Sequence, residues 1–186
     1  VVGKRDQLAA GVAAALSDAG VTAGRVGVVG LHHIVTVGDL EGLTECAPAL
    51  TFEDATGLLA AIKQNKEPAE YRELEAAAAI ADEGFRVLRD RIRPGATGWE
   101  IYGEVERAVR SRGAREALIF VTADGSFVSR PGPEQFRAGD LVTAYVEISN
   151  ANGYWVERAG LFAIGELDAP REQLAQACLA AMEDAS

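Results

Sequence analysis

The sequence predicts an α+β chain built in two parts, and three features carry that prediction. Apolar residues at helical spacing alternate with short β-branched runs between residues 4 and 63, the pattern of helices covering a parallel or mixed sheet. Gln64 to Pro68 (QNKEP) then breaks the pattern with a polar, proline-containing stretch, read as a linker or domain boundary. Beyond it come two amphipathic helices and two strands around Asn150-Ala151-Asn152-Gly153, a strong hairpin signal.

The first helix is read over 4–19, where Leu8, Val12 and Leu16 recur every four residues and Gly20 stands at the usual stop. Arg25 to Gly30 (RVGVVG) is β-branched and reads as a buried strand. Asp39 to Cys46 reads as a short helix closed by Pro48, Leu50 to Phe52 as a strand, and Thr56 to Lys63 as a helix. After the linker, Leu74, Ala77, Ala81, Phe85, Leu88 and Ile92 form one apolar stripe. Arg93-Pro94-Gly95 ends that helix, because proline disfavours helix in the residue before it. Thr97 and Glu100 have capping-box spacing, and Ile101, Val105 and Val109 continue as a second stripe that Gly113 stops. Ala117 to Thr122 reads as a strand. Ala123 to Arg137 is a loop in which Asp124-Gly125-Ser126 makes a turn. Asp140 to Ser149 and Tyr154 to Ile164 are the hairpin strands, and 171–183 is a last amphipathic helix.

Charge and composition exclude several classes. Eighteen Lys and Arg against 28 Asp and Glu leave a net charge of −10 and a pI near 4.7. That balance argues against nucleic acid and against an anionic membrane surface. With 48% hydrophobic and 25% charged residues, the chain is globular in composition. The longest apolar run, Leu8 to Leu16, is far short of the roughly 20 residues of a membrane helix. No signal peptide is visible. The chain opens on Val1, as a processed or partial chain does. Cys46 and Cys178 have no C-x-x-C or histidine partner. They read as buried structural thiols in a reducing, cytoplasmic compartment. Trp99 and Trp155 read as core or interface residues.

The hairpin is the most informative local feature, since each strand carries one central acid, Glu147 or Glu157. A two-residue loop pairs Glu157 with Val146 and sends the glutamates to opposite faces. A three-residue loop ending in a left-handed Gly153 pairs Glu147 with Glu157 directly. The second register puts like charges side by side, where they need a cation, an arginine or retention of a proton. Arg130, Arg137 and Arg158 are the candidate partners. Taken alone, the residues favour the plainer reading of two solvated glutamates on an edge hairpin. His32-His33 follows the RVGVVG strand, but neighbours in an extended chain point opposite ways, so both read as loop histidines. Gly27-Val28-Val29-Gly30 lacks dinucleotide-site spacing.

Several blocks, in order, carry a resemblance. They are Glu70 to Val109 (EYRELEAAAAIADEGFRVLRDRIRPGATGWEIYGEVERAV), Gly139 to Val142 (GDLV), Gly153 to Trp155 (GYW) and Leu161 to Glu166 (LFAIGE). This series resembles the pita-bread family of prolidase, aminopeptidase P, methionine aminopeptidase and creatinase. Residues 1–66 resemble the closing part of the N-terminal domain of prolidase, aminopeptidase P and creatinase. The resemblance implies that 67–186 is the first half of a pita-bread catalytic-type domain, and that the intact protein is longer.

The family's peptidases bind two divalent metals, Mn, Co or Zn, through Asp, Asp, His, Glu and Glu. By the resemblance, Glu157 falls where the second aspartate stands, four residues after Gly153. The first aspartate position lands at Val146, and Glu147 beside it is the acidic candidate. No histidine stands in Ser126 to Pro131, and the remaining family ligands would lie beyond Ser186. The metal set is therefore not intact in this chain, and Glu147 and Glu157 are the candidate catalytic residues.

The resemblance implies an Xaa-Pro peptidase or creatinase-like hydrolase acting on a small peptide or amide C–N bond. Creatinase itself uses a histidine in a region where this chain has none. The alternative is a catalytically inactive pita-bread module that binds a peptide or partner protein. A homodimer is implied by relatives with this N-terminal domain. Glu147 and Glu157 are predicted to share the concave face of the sheet.

Overall fold

The computed structural model describes residues 2–123 and 129–185, in two compact units, Val1–Lys66 and Glu67–Ser186. The predicted turn at Asp124-Gly125-Ser126 lies outside the described residues.

The first unit runs α1 (Val2–Asp18), β1 (Gly24–Val28), α2 (Val37–Cys46), β2 (Leu50–Asp54) and α3 (Thr56–Gln64). The alternation of helix and strand ends in a parallel pair, β1 against β2, from Gly24 opposite Leu50 to Val28 opposite Asp54. β1 stops at Val28 rather than Gly30. Gly30 takes φ +74°, and its carbonyl accepts from the backbone N–H groups of His33, Ile34 and Val35, which turns the chain. β1 is also not buried as predicted: it pairs with β2 alone among the described residues and stays half-exposed to exposed. α2 starts two residues before the predicted Asp39, because Thr36 and Asp39 form a capping box. Asp54 extends β2 and then accepts from the Thr56 hydroxyl (2.6 Å) at the start of α3.

The second unit runs α4 (Pro68–Arg91), α5 (Gly98–Ser111), β3 (Glu116–Thr122), β4 (Leu141–Ser149), β5 (Trp155–Ala163) and α6 (Ala169–Asp184). The three strands form an antiparallel sheet in the order β3-β4-β5. Both helical stripes read from the sequence pack on this sheet, with Ala77, Ala81 and Leu88 from α4 and Ile101, Val105 and Val109 from α5 in the core. Alternation along central β4 does the rest: Val142, Ala144, Val146 and Ile148 are fully buried under the helices. Gly84 lets α4 approach closely. A Cβ there would sit 2.5 Å from Val109 Cγ1 and 3.0 Å from Val146 Cγ1. Thr97 and Glu100 form the predicted capping box on α5.

This packing assigns the faces of the sheet. The even residues of β4 belong to the helices, so Thr143, Tyr145 and Glu147 point to the opposite side.

Candidate functional site

The hairpin turn decides the register that the sequence left open. Asn150 N donates to Tyr154 O (3.1 Å), and Gly153 N donates to Asn150 O (3.0 Å). Gly153 takes φ +84°, the left-handed geometry of a three-residue loop with a bulge. Glu147 therefore stands directly opposite Glu157. Counting from the hydrogen-bonded pair Asn150–Tyr154, residues 147 and 157 form a non-hydrogen-bonded pair, the kind whose side chains lie closer. The two carboxylates thus share the face away from α4 and α5.

Side chains hold the turn in place. Asn150 is only 5% exposed. Its Oδ1 accepts from the N–H groups of Asn152 (3.1 Å) and Tyr154 (3.0 Å). Its Nδ2 donates to the backbone oxygen (3.2 Å) and the carboxylate (2.8 Å) of Glu73 on α4. The Tyr154 hydroxyl donates to Glu70 (3.4 Å); burial, then that carboxylate, push the phenol above its ordinary pKa. The sequence marks Asn150 as a turn residue but not its partnership with Glu73, which spans distant parts of the chain. It also missed Thr143 and Tyr145, which strand parity places beside Glu147 once the register is known.

The predicted arginine partners do not serve the pair. Arg158 ion-pairs with Asp82 of α4, because residue 158 is one step from 157 and points to the helix side. Among the described residues no ion pair joins Arg130 or Arg137 to either glutamate; Arg137 gives its backbone N–H to Asp140 (2.7 Å). His32 and His33 are exposed turn residues of the first unit. There Asp54 lies below its ordinary pKa, chiefly through the Thr56 hydroxyl, with a small contribution from His32.

Two other expectations are corrected. Cys46 is exposed and Cys178 half-buried, so neither is a core thiol. Trp99 and Trp155 are 62% and 45% exposed, so of the two readings, core or interface, the core one is corrected. α5 buries its Ile101, Val105 and Val109 side and turns Trp99 outward, while Trp155 opens an edge strand.

The donor set bears on the metals implied by the resemblance. Among the described residues no three His, Cys, Asp or Glu side chains come together. Two metal ions held by bridging carboxylates need more donors than Glu147 and Glu157 supply. The described residues of this chain do not by themselves fit a dinuclear centre. Among those residues, no helix is long and apolar enough to cross a membrane.

Against known families, the model of metallopeptidase family M24 matches residues 72–186, most of the chain. The chain belongs to that family. Among solved structures it is similar to the Xaa-Pro dipeptidase of Bacillus anthracis, with TM-score 0.73 and 22% identity over 89% of this chain and 46% of that one. It is also similar to the prolidase of Pyrococcus horikoshii, with TM-score 0.78 and 17% identity over 87% and 47%. The X-Pro aminopeptidase of Thermotoga maritima gives TM-score 0.74 and 16% identity over 95% and 50%. These likenesses show the pita-bread fold, and this M24 chain spans about half the length of each of those proteins. No curated protein matches it.

Proposed function

We propose that this M24 chain supplies the acidic face of a hydrolase that cuts a C–N bond in a small peptide or amide, of the Xaa-Pro dipeptidase or aminopeptidase P kind. The observation that carries the proposal is the register of Glu147 against Glu157 on the face free of α4 and α5. Two facing carboxyl groups can divide acid and base work. The ionised one takes a proton from the attacking water, and the protonated one gives its proton to the departing nitrogen. Family membership supports peptidase chemistry in general, and the names of the similar structures support the Xaa-Pro preference. Two isolated thiols support a cytoplasmic setting, and the family resemblance supports a homodimer.

A second reading, a non-catalytic module that binds a peptide or partner protein, is favoured by one observation: no third ligating side chain joins the two glutamates among the described residues.

The test uses the protein at its natural length, stripped with a chelator and then supplied with Mn, Co or Zn. Hydrolysis of Xaa-Pro dipeptides and of an Xaa-Pro tripeptide is followed for the wild type, Glu147→Gln and Glu157→Gln. The proposal expects turnover that falls about 100-fold or more in each variant. Peptide binding with no turnover under any metal condition would establish the second reading instead.

A further inference from the structure

The end of α4, the loop after it and α5 enclose a hollow of about 420 Å³ whose lining includes neither Glu147 nor Glu157. The loop is pinned to the core. Gly95 N donates to Phe136 O (2.8 Å), Phe136 N donates to Ala96 O (2.9 Å), and Phe136 is itself buried. Three arginines line the hollow, Arg91 from α4, Arg93 from the loop and Arg107 from α5. Trp99 and Gly103 line it as well. Trp99, Gly103 and Arg107 recur every four residues, which sets them in a row along one side of α5.

Three observations distinguish this hollow from ordinary surface. The first is charge. Its three guanidinium groups meet only two carboxylates, and both are in use. Glu100 caps α5, accepting from Thr97 N (2.9 Å) and Thr97 Oγ1 (3.2 Å). Glu104 accepts from Arg107 (3.0 Å) and lies 3.6 Å from Arg91. Arg93 has no ion pair and no side-chain hydrogen bond among the described residues. A chain of net charge −10 thus gathers a local surplus of positive charge here. The second is space. Gly103 has an ordinary helical backbone, and a Cβ there would meet nothing within 4 Å, so neither conformation nor packing calls for glycine. Inside a helix glycine is unfavourable, and what its bare backbone does here is keep the hollow open between Trp99 and Arg107. The third is the indole of Trp99, a large flat apolar surface left bare beside those charges.

We propose that this hollow binds a small organic anion in which a flat ring stands next to an oxyanion, a phosphate or a carboxylate. The ring stacks on Trp99 over the bare backbone of Gly103. The oxyanion accepts from Arg93 and from the N–H groups of Arg91 and Arg107 that Glu104 does not take, since each guanidinium offers five donors in a planar fork. Charge complementarity sets the sign of the ligand, and the exposed indole sets its shape. The volume is within the range of small-molecule sites. A loop already fixed by Phe136 needs little ordering when the ligand arrives. The site does not depend on the reading of Glu147 and Glu157 as the reacting pair.

The test is calorimetric binding to the natural-length protein of phenyl phosphate, benzoate, inorganic phosphate and phenol. One of the two ring-bearing anions is expected to bind about tenfold or more tighter than either inorganic phosphate or phenol, and which one does so identifies the oxyanion. Its affinity should fall as salt is added. Trp99→Ala should remove the advantage over inorganic phosphate. Arg93→Gln, which breaks no ion pair, should weaken the ring-bearing anion about three- to tenfold, the exposed setting limiting the effect. Gly103→Leu fills the hollow with a good helix former, so it should melt no lower than the wild type and yet lose binding, a combination that misfolding cannot produce. The wild-type comparison needs no variant to fold. Ring-bearing anions that bind no tighter than inorganic phosphate overturn the proposal. So does Gly103→Leu that binds as the wild type does. Binding of an acidic, phenylalanine-containing peptide that Trp99→Ala abolishes, with no binding of either ring-bearing anion, overturns it too, since the face would then be a protein interface.

Discussion

Asn150 Nδ2 donates to both the backbone oxygen (3.2 Å) and the carboxylate (2.8 Å) of Glu73, tying the hairpin turn to the first turns of α4. The same asparagine accepts from two turn N–H groups, so one side chain links the helix that covers the sheet to the register of the strands beneath it. Moving the hairpin by one residue would break these bonds and send Glu147 and Glu157 to opposite faces.

Asn150→Ala should therefore destabilise the protein by about 2–3 kcal/mol, since it removes several bonds in a buried site, one of them to a charged group. Glu73→Gln, which keeps the shape and loses the charge, should cost about 1 kcal/mol. Urea denaturation midpoints check both, and faster amide exchange at Asn152 and Tyr154 should accompany the first.

Gly153 has φ +84° and nothing within 4 Å of the position of a Cβ, so any substitution there meets only backbone strain. Gly153→Ala should cost about 1–2 kcal/mol, and Gly153→Asn less, because asparagine visits the left-handed region more readily. Thermal melts of the two variants give the comparison.

Two glycines on the covering helices should respond in opposite directions. Gly84→Ala forces a methyl against Val109 and Val146 and should destabilise by about 1–3 kcal/mol. Gly103, on α5, has open space and an ordinary helical backbone, so Gly103→Ala should stabilise by up to about 1 kcal/mol. A shared fall in stability would show that the helix packing is not as described.

Between α4 and α5, Arg86 above all, and then Arg112, hold the Glu83 carboxyl at about 2, below its ordinary 4.5, with burial opposing them in part. A lowered folded-state pKa contributes stability that is fully present above pH 4.5 and lost as pH falls toward 2. Glu83→Gln should flatten the melting temperature against pH across that window and leave its shape above pH 5 unchanged. Added salt should shrink the difference, as these side chains meet solvent.

The facing glutamates set stability against chemistry. Glu157→Lys converts a like-charge cross-strand pair into an opposite-charge pair, and should stabilise the hairpin by about 0.2–1 kcal/mol. The same change should abolish the proposed hydrolysis. Measuring unfolding and turnover on one preparation separates the two effects.

Much of the second unit was legible in the order of its residues. Apolar stripes at helical spacing marked α4 and α5, and the Thr97–Glu100 cap and the proline-glycine stop set their ends, because these are local preferences of backbone and side chain. The burial of β1, the thiols and the tryptophans was not legible in the same way. Burial depends on which elements arrive to cover a residue, and a β-branched run or an indole reads alike whether covered or bare.

The site divides along the same line. By itself the sequence determined that each hairpin strand carries an acid and that a glycine stands where a three-residue loop needs a left-handed residue. The folded structure decided which of the two possible turns forms, so that the two acids face each other, and it decided that Arg158 turns away to Asp82 and that Thr143 and Tyr145 share the glutamates' face. The reason is the two-residue period of a strand. A single step of register exchanges every side chain between faces; the three-residue turn at Gly153 fixes that step, and Asn150 ties the turn to Glu73, 77 residues earlier in the chain.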